Sequence, residues 1–218
     1  MQVAVSGAAG NLGTKLCAML ERSDWCTGVI ALDVVPAPAT KGAKTRWIVA
    51  DLRDAADRRW IEAVESADAI IHLAAQNAAP NSSWAEAAQS FDMTANLLDI
   101  AGRRTCRFLY ASSNHAMGGY KDAPLPPGEH IGGDTLPLPG TRMYDGFAYH
   151  TSTAYGGMKL LGERATLARA AGSSGRLTAV NLRIGWCQRG ENRAGTLSAH
   201  GARGAGGKPQ SPAEEARD

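Results

Sequence analysis

The sequence predicts a doubly wound α/β fold of the Rossmann type, a parallel sheet with helices on both faces. Three observations carry that expectation. Short uninterrupted apolar runs alternate with longer segments of helical period, as strands buried on both faces alternate with crossover helices. The first run opens into Gly7-Ala8-Ala9-Gly10-Asn11-Leu12-Gly13, and Asp33 closes the second.

Taken in order, Val3 to Ser6 is the first strand, and the glycine-rich turn leads into a helix over about Asn11 to Glu21. Val29 to Asp33 and Trp47 to Ala50 are the second and third strands, and a helix over about Ala56 to Ser66 leads to the fourth, Ala69 to Leu73. A long helix over about Ser83 to Arg103 precedes the fifth strand, Arg107 to Ala111. A helix over about Thr153 to Ala171 then precedes the sixth, Leu177 to Ile184. Two stretches break this rhythm. Lys121 to Thr151 holds five prolines and five glycines without a clear period, far longer than an ordinary connection and of the kind that shapes a cleft. From Gly195 onward Leu197 is the only large aliphatic residue, too little to bury a core. The expected organisation is a dinucleotide-binding domain over 1–194 that carries the reacting residues, followed by a low-complexity, disordered tail over 195–218.

Composition narrows the function. With 218 residues the chain holds one sizeable domain, and 44% hydrophobic with 20% charged residues is ordinary for a globular protein. A net charge of +2 supplies no field for nucleic acid or a membrane surface, so neither is an expected partner. Cys17, Cys26, Cys106 and Cys187 form no Cys-x-x-Cys pair, which points to free thiols rather than a metal site or disulfide framework. The N-terminus lacks the basic start and apolar stretch of a signal peptide, and no apolar run approaches membrane-spanning length. A cytoplasmic location is the default expectation.

The Gly7-x-x-Gly10-x-x-Gly13 turn suits a dinucleotide. One glycine makes the tight turn, one admits the pyrophosphate to the backbone, and one lets helix and strand pack closely. The helix N-terminus then offers free N–H groups and the positive end of its dipole to the phosphates. Asp33, twenty residues beyond Gly13, can accept hydrogen bonds from a ribose 2′-hydroxyl and would repel a 2′-phosphate. No Arg or Lys directly follows it, so NAD is expected over NADP.

Tyr155 and Lys159 stand four apart on one helix and so share a face. That spacing alone also describes an ordinary surface pair. Strand five ends in Ser112-Ser113-Asn114-His115, polar groups at the sheet edge where open α/β proteins bind ligands. The ordered set Gly7/Gly10/Gly13, Asp33, Asp51-Leu52, His72-Leu73-Ala74-Ala75, Ser113 and Tyr155-x-x-x-Lys159 resembles the extended short-chain dehydrogenase/reductases, the NAD-dependent epimerase/dehydratases, over about residues 1 to 194. The resemblance implies a catalytic set of Ser113, Tyr155 and Lys159. Tyr155 would take the proton of a substrate hydroxyl while hydride passes to the nicotinamide. Lys159 would hold the nicotinamide ribose and depress the Tyr155 pKa, and Ser113 would orient the substrate oxygen. It also implies that Asn11 and Leu12 belong to the cofactor turn, Asp51 and Leu52 meet the adenine, and Leu73, Ala74 and Ala75 line the middle of the cofactor. Asn96 resembles a position that supports the active-site backbone, and His72 reads as a satisfied core histidine.

Within the family, Ser113-Asn114-His115, Gly118-Gly119-Tyr120 and Arg183-Ile184-Gly185 look most like the uronate dehydrogenase branch. That likeness implies sugar contacts from Ser113, Asn114 and His115 and a carboxylate clamp from an arginine after strand six, here Arg193; a solvated surface arginine is the rival reading. Trp186 stands where that branch has a small residue, and the 121–151 loop is longer. Where family members continue with further helices and a strand that close the substrate pocket, this sequence has its low-complexity tail, so a C-terminally truncated chain is expected. The leading function is hydride transfer from a sugar or sugar-acid hydroxyl to NAD. Nucleotide-sugar epimerisation or dehydration, and non-catalytic dinucleotide sensing, are the alternatives. A homodimer is an expectation from resemblance alone.

Overall fold

A computed structural model describes residues 1–39, 41–76, 82–144, 147–185 and 187. Six parallel strands form one sheet: β1 (Gln2–Ser6), β2 (Gly28–Asp33), β3 (Thr45–Val49), β4 (Ala69–His72), β5 (Cys106–Ser113) and, in chain order after two further strands, β8 (Leu177–Ile184). They lie in the order β3-β2-β1-β4-β5-β8. The chain winds outward from β1 to one side and then from β4 to the other, so the C-terminal ends of β1 and β4 diverge at a switch point. Four helices fill the crossovers: α1 (Asn11–Arg22), α2 (Arg58–Glu65), α3 (Trp84–Ala101) and α4 (Ala154–Ala171).

Strand alternation sends successive side chains to opposite faces. On one face Ala4, Ile30, Leu32, Ile70, Phe108 and Tyr110 pack against Trp60 of α2 and Leu97 and Leu98 of α3. On the other, Val3, Val5, Val29 and Ala31 pack against Leu20 of α1. That second layer covers β1 and β2 but not the outer strand, where Val180 and Leu182 are 54% and 42% exposed.

Local chemistry sets the helix starts. Ser83 caps α3 in a reciprocal box with Glu86, and the Asp57 carboxylate accepts from the Arg59 N–H at the start of α2. The stretch from Lys121 to Thr151 is not wholly irregular. A 3₁₀ helix over Asn114–Lys121 runs into it, and β6 (Thr141–Tyr144) pairs antiparallel with β7 (Tyr149–Ser152). The residues of β7 are exposed or half-buried, so no buried face imposes an alternating pattern there for the sequence to reveal. The region 195–218, expected to be a tail, lies outside the described residues.

One polar chain runs through the core. The Ser6 hydroxyl accepts from the Leu73 and Ala74 N–H groups (3.2 and 3.3 Å) and donates to His72 Nδ1 at 2.6 Å. His72 Nε2 must then carry the ring proton, which it gives to Thr94 Oγ1 at 2.9 Å, and Thr94 donates to the Ser90 carbonyl. His72 is thus a satisfied core histidine tying β1, β4 and α3 together.

Burial, with the Lys159 charge nearby, pushes the His72 pKa down to about 3. The unfolded ring ionises near 6.5, so between those values the unfolded chain binds a proton that the folded chain does not. Stability from this group is therefore present above pH 6.5 and is lost as pH falls towards 3. By pH 5 the expected loss is about 2 kcal/mol. Urea unfolding of the parent and of His72→Gln at both ends of that range checks this, and equal pH slopes in the two proteins would contradict it.

Candidate active site

The switch point between β1 and β4 opens a cleft along the C-terminal edge of the sheet. One cavity of about 400 Å³ is lined by Gly7, Gly10, Asp33, Asp51, Leu52, Leu73, Ala74 and Ala75, among others. A second of about 540 Å³ shares Gly7, Gly10, Leu73 and Ala75 with it and continues past Asn11, Leu12 and Gly13 to Ser113, Asn114, His115, Tyr155 and Lys159. The cofactor set and the reacting set expected from sequence thus face one continuous groove. Arg193 and Trp186 lie outside the described residues.

The turn between β1 and α1 has the cradle that a pyrophosphate requires. Gly7 has φ +70°, and a Cβ there would meet the Ala74 nitrogen at 2.8 Å; a Cβ on Gly13 would meet the Gly7 carbonyl at 2.1 Å. Gly10 caps α1 with no side-chain hydrogen bond and no acidic residue follows in the first turn, so the N–H groups of the helix start remain available to an anion. Asp33 is held in place by the Ala9 and Val35 N–H groups at 2.8 and 3.1 Å. The Asp51 carboxylate is gripped by the Arg53 guanidinium, which also holds its pKa below the usual range. The donor set fits a dinucleotide whose ribose hydroxyls meet Asp33.

Asn96, expected to support the active-site backbone, donates its amide to the carbonyls of Leu52 at 2.8 Å and Arg53 at 3.3 Å, so the backbone it braces is at the Asp51 end of the groove.

At the other end, α4 is registered on β5 by two hydrogen bonds spaced one helical turn apart. Lys159 Nζ donates to the Ala111 carbonyl at 2.6 Å, and the Ser112 hydroxyl donates to Glu163 Oε1 at 2.5 Å; one turn earlier, Tyr155 lines the cavity together with Ser113. Glu163 also takes both nitrogens of Arg183 on β8, at 2.8 and 2.7 Å. Such close approach needs bare backbone on α4: a Cβ on Gly156 would lie 2.3 Å from the His115 carbonyl, and one on Gly162 2.3 Å from the Tyr110 hydroxyl. Glu163 escapes the sequence reading, although its place four residues after Lys159 puts it on the same helix face.

The electrostatics of this end follow from burial. The Lys159 ammonium is almost wholly enclosed, which lowers its pKa to about 8, and it lies 5.7 Å from the Tyr155 ring centre. Burial raises the Tyr155 pKa, with the Ser113 hydrogen bond acting against the rise. The expected depression of that pKa by Lys159 is not found here: burial is the dominant influence. The His115 ring meets the Tyr155 ring edge-on with centres 5.8 Å apart. Its Nδ1 donates to the Gly140 carbonyl at 3.3 Å, leaving Nε2 as an acceptor, and burial keeps the ring neutral by lowering its pKa.

Comparison with known proteins agrees with this architecture. The NAD dependent epimerase/dehydratase family model matches residues 3–186. The chain belongs to that family. Its cofactor is accordingly NAD, and the fold class and family expected from sequence both hold. No curated protein sequence matches. Among solved structures, a mutated uronate dehydrogenase is 24% identical with a TM-score of 0.69, over 90% of this chain and 62% of that one. Uronate dehydrogenase from Agrobacterium tumefaciens is 26% identical with a TM-score of 0.64, over 90% and 65%. UDP-glucuronic acid 4-epimerase from Bacillus cereus in complex with NAD is 21% identical with a TM-score of 0.63, over 85% and 56%. This chain therefore spans less than two thirds of the length of each. No helix among the described residues is long and apolar enough to cross a membrane, and no described group of His, Cys, Asp and Glu could hold a metal.

Two outcomes are expected. Gly13→Ala forces a Cβ into the Gly7 carbonyl, so the stabilisation that NAD gives the parent, about 2.7 kcal/mol at a hundred times Kd, should vanish from the thermal unfolding curve. Glu163→Gln leaves Arg183 without its counter-charge and should cost about 1–3 kcal/mol in urea unfolding.

Proposed function

We propose that the chain carries the NAD-binding and catalytic portion of a sugar-acid dehydrogenase that oxidises a uronate hydroxyl, at the anomeric carbon, to a lactone. The observation that carries this reading is the convergence of Ser113, Asn114, His115, Tyr155 and Lys159 on one cavity continuous with the dinucleotide groove.

Each residue has a role that its surroundings support. Tyr155 receives the hydroxyl proton of the substrate, beside Ser113 in the same cavity. Ser113 holds the oxygen that becomes the carbonyl. Lys159, with a pKa of about 8, is charged at neutral pH, and a cation in the same cavity favours a Tyr155 phenolate. Since burial works in the opposite direction, this attraction is a requirement of the chemistry rather than an embellishment. Bound NAD supplies the hydride acceptor. Asn114 and the free Nε2 of His115 offer hydrogen-bonding groups to the ring hydroxyls. The likeness to uronate dehydrogenases supports the substrate class; the nucleotide-sugar epimerase likeness marks the alternative within the family.

Incubation of the chain with NAD and D-glucuronate, read by NADH absorbance, tests the reaction. Lasting NADH accumulation is the expected result, whereas conversion between sugar epimers without net NADH would assign an epimerase instead. Tyr155→Phe should lower kcat by about a thousandfold while the NAD-induced thermal shift is kept. Full activity in that variant would exclude Tyr155 as the base.

A further inference from the structure

We infer that Lys121 is a specificity determinant of this site, a cation that recognises the carboxylate of an acidic sugar; the inference rests on the dehydrogenase reading above. Lys121 ends the 3₁₀ helix that begins at Asn114, and it lines the same cavity as Ser113, His115 and Tyr155. Residues three apart eclipse one another in a 3₁₀ helix, so His115, Gly118 and Lys121 share one face. Two such turns span about 12 Å along the axis, half of which an extended lysine side chain recovers. Gly118 between them adds no side chain, because its position is pressed against the Gly140 carbonyl.

The charge of Lys121 is available to a ligand. The neighbouring carboxylate, Asp122, is engaged by Arg142 at 2.6 Å, and no ion pair to Lys121 is found among the described residues. The second cation of the cavity, Lys159, is buried and committed to the Ala111 carbonyl. No aspartate or glutamate is among the described residues that line this cavity, so it presents net positive charge to whatever enters. The Lys121 charge is also felt at His115, where it disfavours protonation of the ring. A uronate bears its carboxylate on the carbon at the far side of the ring oxygen from the anomeric centre. With that centre at Tyr155, an ammonium on the rim of the same cavity meets the acid group rather than the reacting hydroxyl.

The test compares the parent chain with Lys121→Gln and Lys121→Arg, using D-glucuronate, neutral D-glucose and UDP-glucose (anionic only at its diphosphate). Because Lys121 is exposed, the variants should keep the parent's thermal unfolding and its NAD-induced shift. The expected result is a rise of about tenfold or more in KM for glucuronate in Lys121→Gln, with kcat within about twofold. Any reaction with glucose should be unchanged, and Lys121→Arg should restore the parent's KM. An unaltered preference for acid over neutral sugar in Lys121→Gln would overturn the inference. A loss of calorimetric binding confined to UDP-glucose, whose substituted anomeric oxygen bars it from the reaction itself, would also overturn it, assigning the cation to a phosphate. Should the parent form no NADH from any of the three, the dehydrogenase reading fails separately, and calorimetric titration of the NAD-loaded proteins with glucuronate decides the role of Lys121. Weaker binding by Lys121→Gln than by the parent supports the assignment, and equal or absent binding by both overturns it.

Discussion

The close approach of α4 to β5 is the constraint on which the rest of the site depends. Helix α4 presents Tyr155, Lys159 and Glu163 on one face, and β5 meets the last two with the Ala111 carbonyl and the Ser112 hydroxyl. The contacts are not interchangeable. Lys159 spends a hydrogen bond on a main-chain carbonyl, which fixes its depth; Glu163 holds a side-chain hydroxyl and a guanidinium from two different strands. Between them the phenol of Tyr155 is held at a set height above the sheet edge. The glycines at 156 and 162 weaken an isolated helix by about 1 kcal/mol each relative to alanine, yet a side chain at either would push α4 off the surface it serves. Local helix propensity yields here to tertiary geometry.

Tyr155 and Lys159 also show how burial and charge oppose one another. The enclosure that excludes water from the reacting groups raises the phenol pKa and lowers the ammonium pKa, both towards their neutral forms. The ammonium nonetheless keeps its proton at pH 7, because its pKa of about 8 remains above neutrality. At the opposite end of the groove the problem is simpler. Asp33 is fixed by two main-chain N–H groups, and the free N–H groups of α1 complement phosphate charge without any titrating residue.

Much of this was legible in the sequence because it depends on backbone requirements and on strands buried from both sides. The six sheet strands announce themselves as apolar runs, and the Gly7–Gly13 turn reads as a close backbone contact before any coordinates are known. Tyr155 and Lys159 are legible through their spacing. What escapes is information held in pairing across the fold. Glu163 is one acidic residue on a helix until Ser112 and Arg183 meet it, and the partners of Asn96 are hidden because the Leu52 and Arg53 carbonyls lie 44 and 43 residues away. Lys121 carries no signal at all, since an exposed lysine becomes informative only when the cavity it borders is seen. The β6–β7 hairpin is hidden for the related reason that its exposed strands need no hydrophobic code.

Strand β8 has a consequence for the timescale on which the site exists. It pairs with β5 across 71 residues, as in Cys106 opposite Leu177, and with Val180 and Leu182 open to solvent it is packed on one face only. Sequence-distant pairing completes late in folding, and a strand with few apolar contacts belongs to the units that open first under native conditions. Its ladder and the Arg183–Glu163 pair are what hold it closed. Ile184 and Gly185, which wall the pocket, sit at the end of an edge strand, while β1 and β4 lie at the centre of the sheet. The two ends of one groove are therefore held differently: the glycine turn hangs from central strands, and the wall at Ile184 and Gly185 hangs from an edge strand.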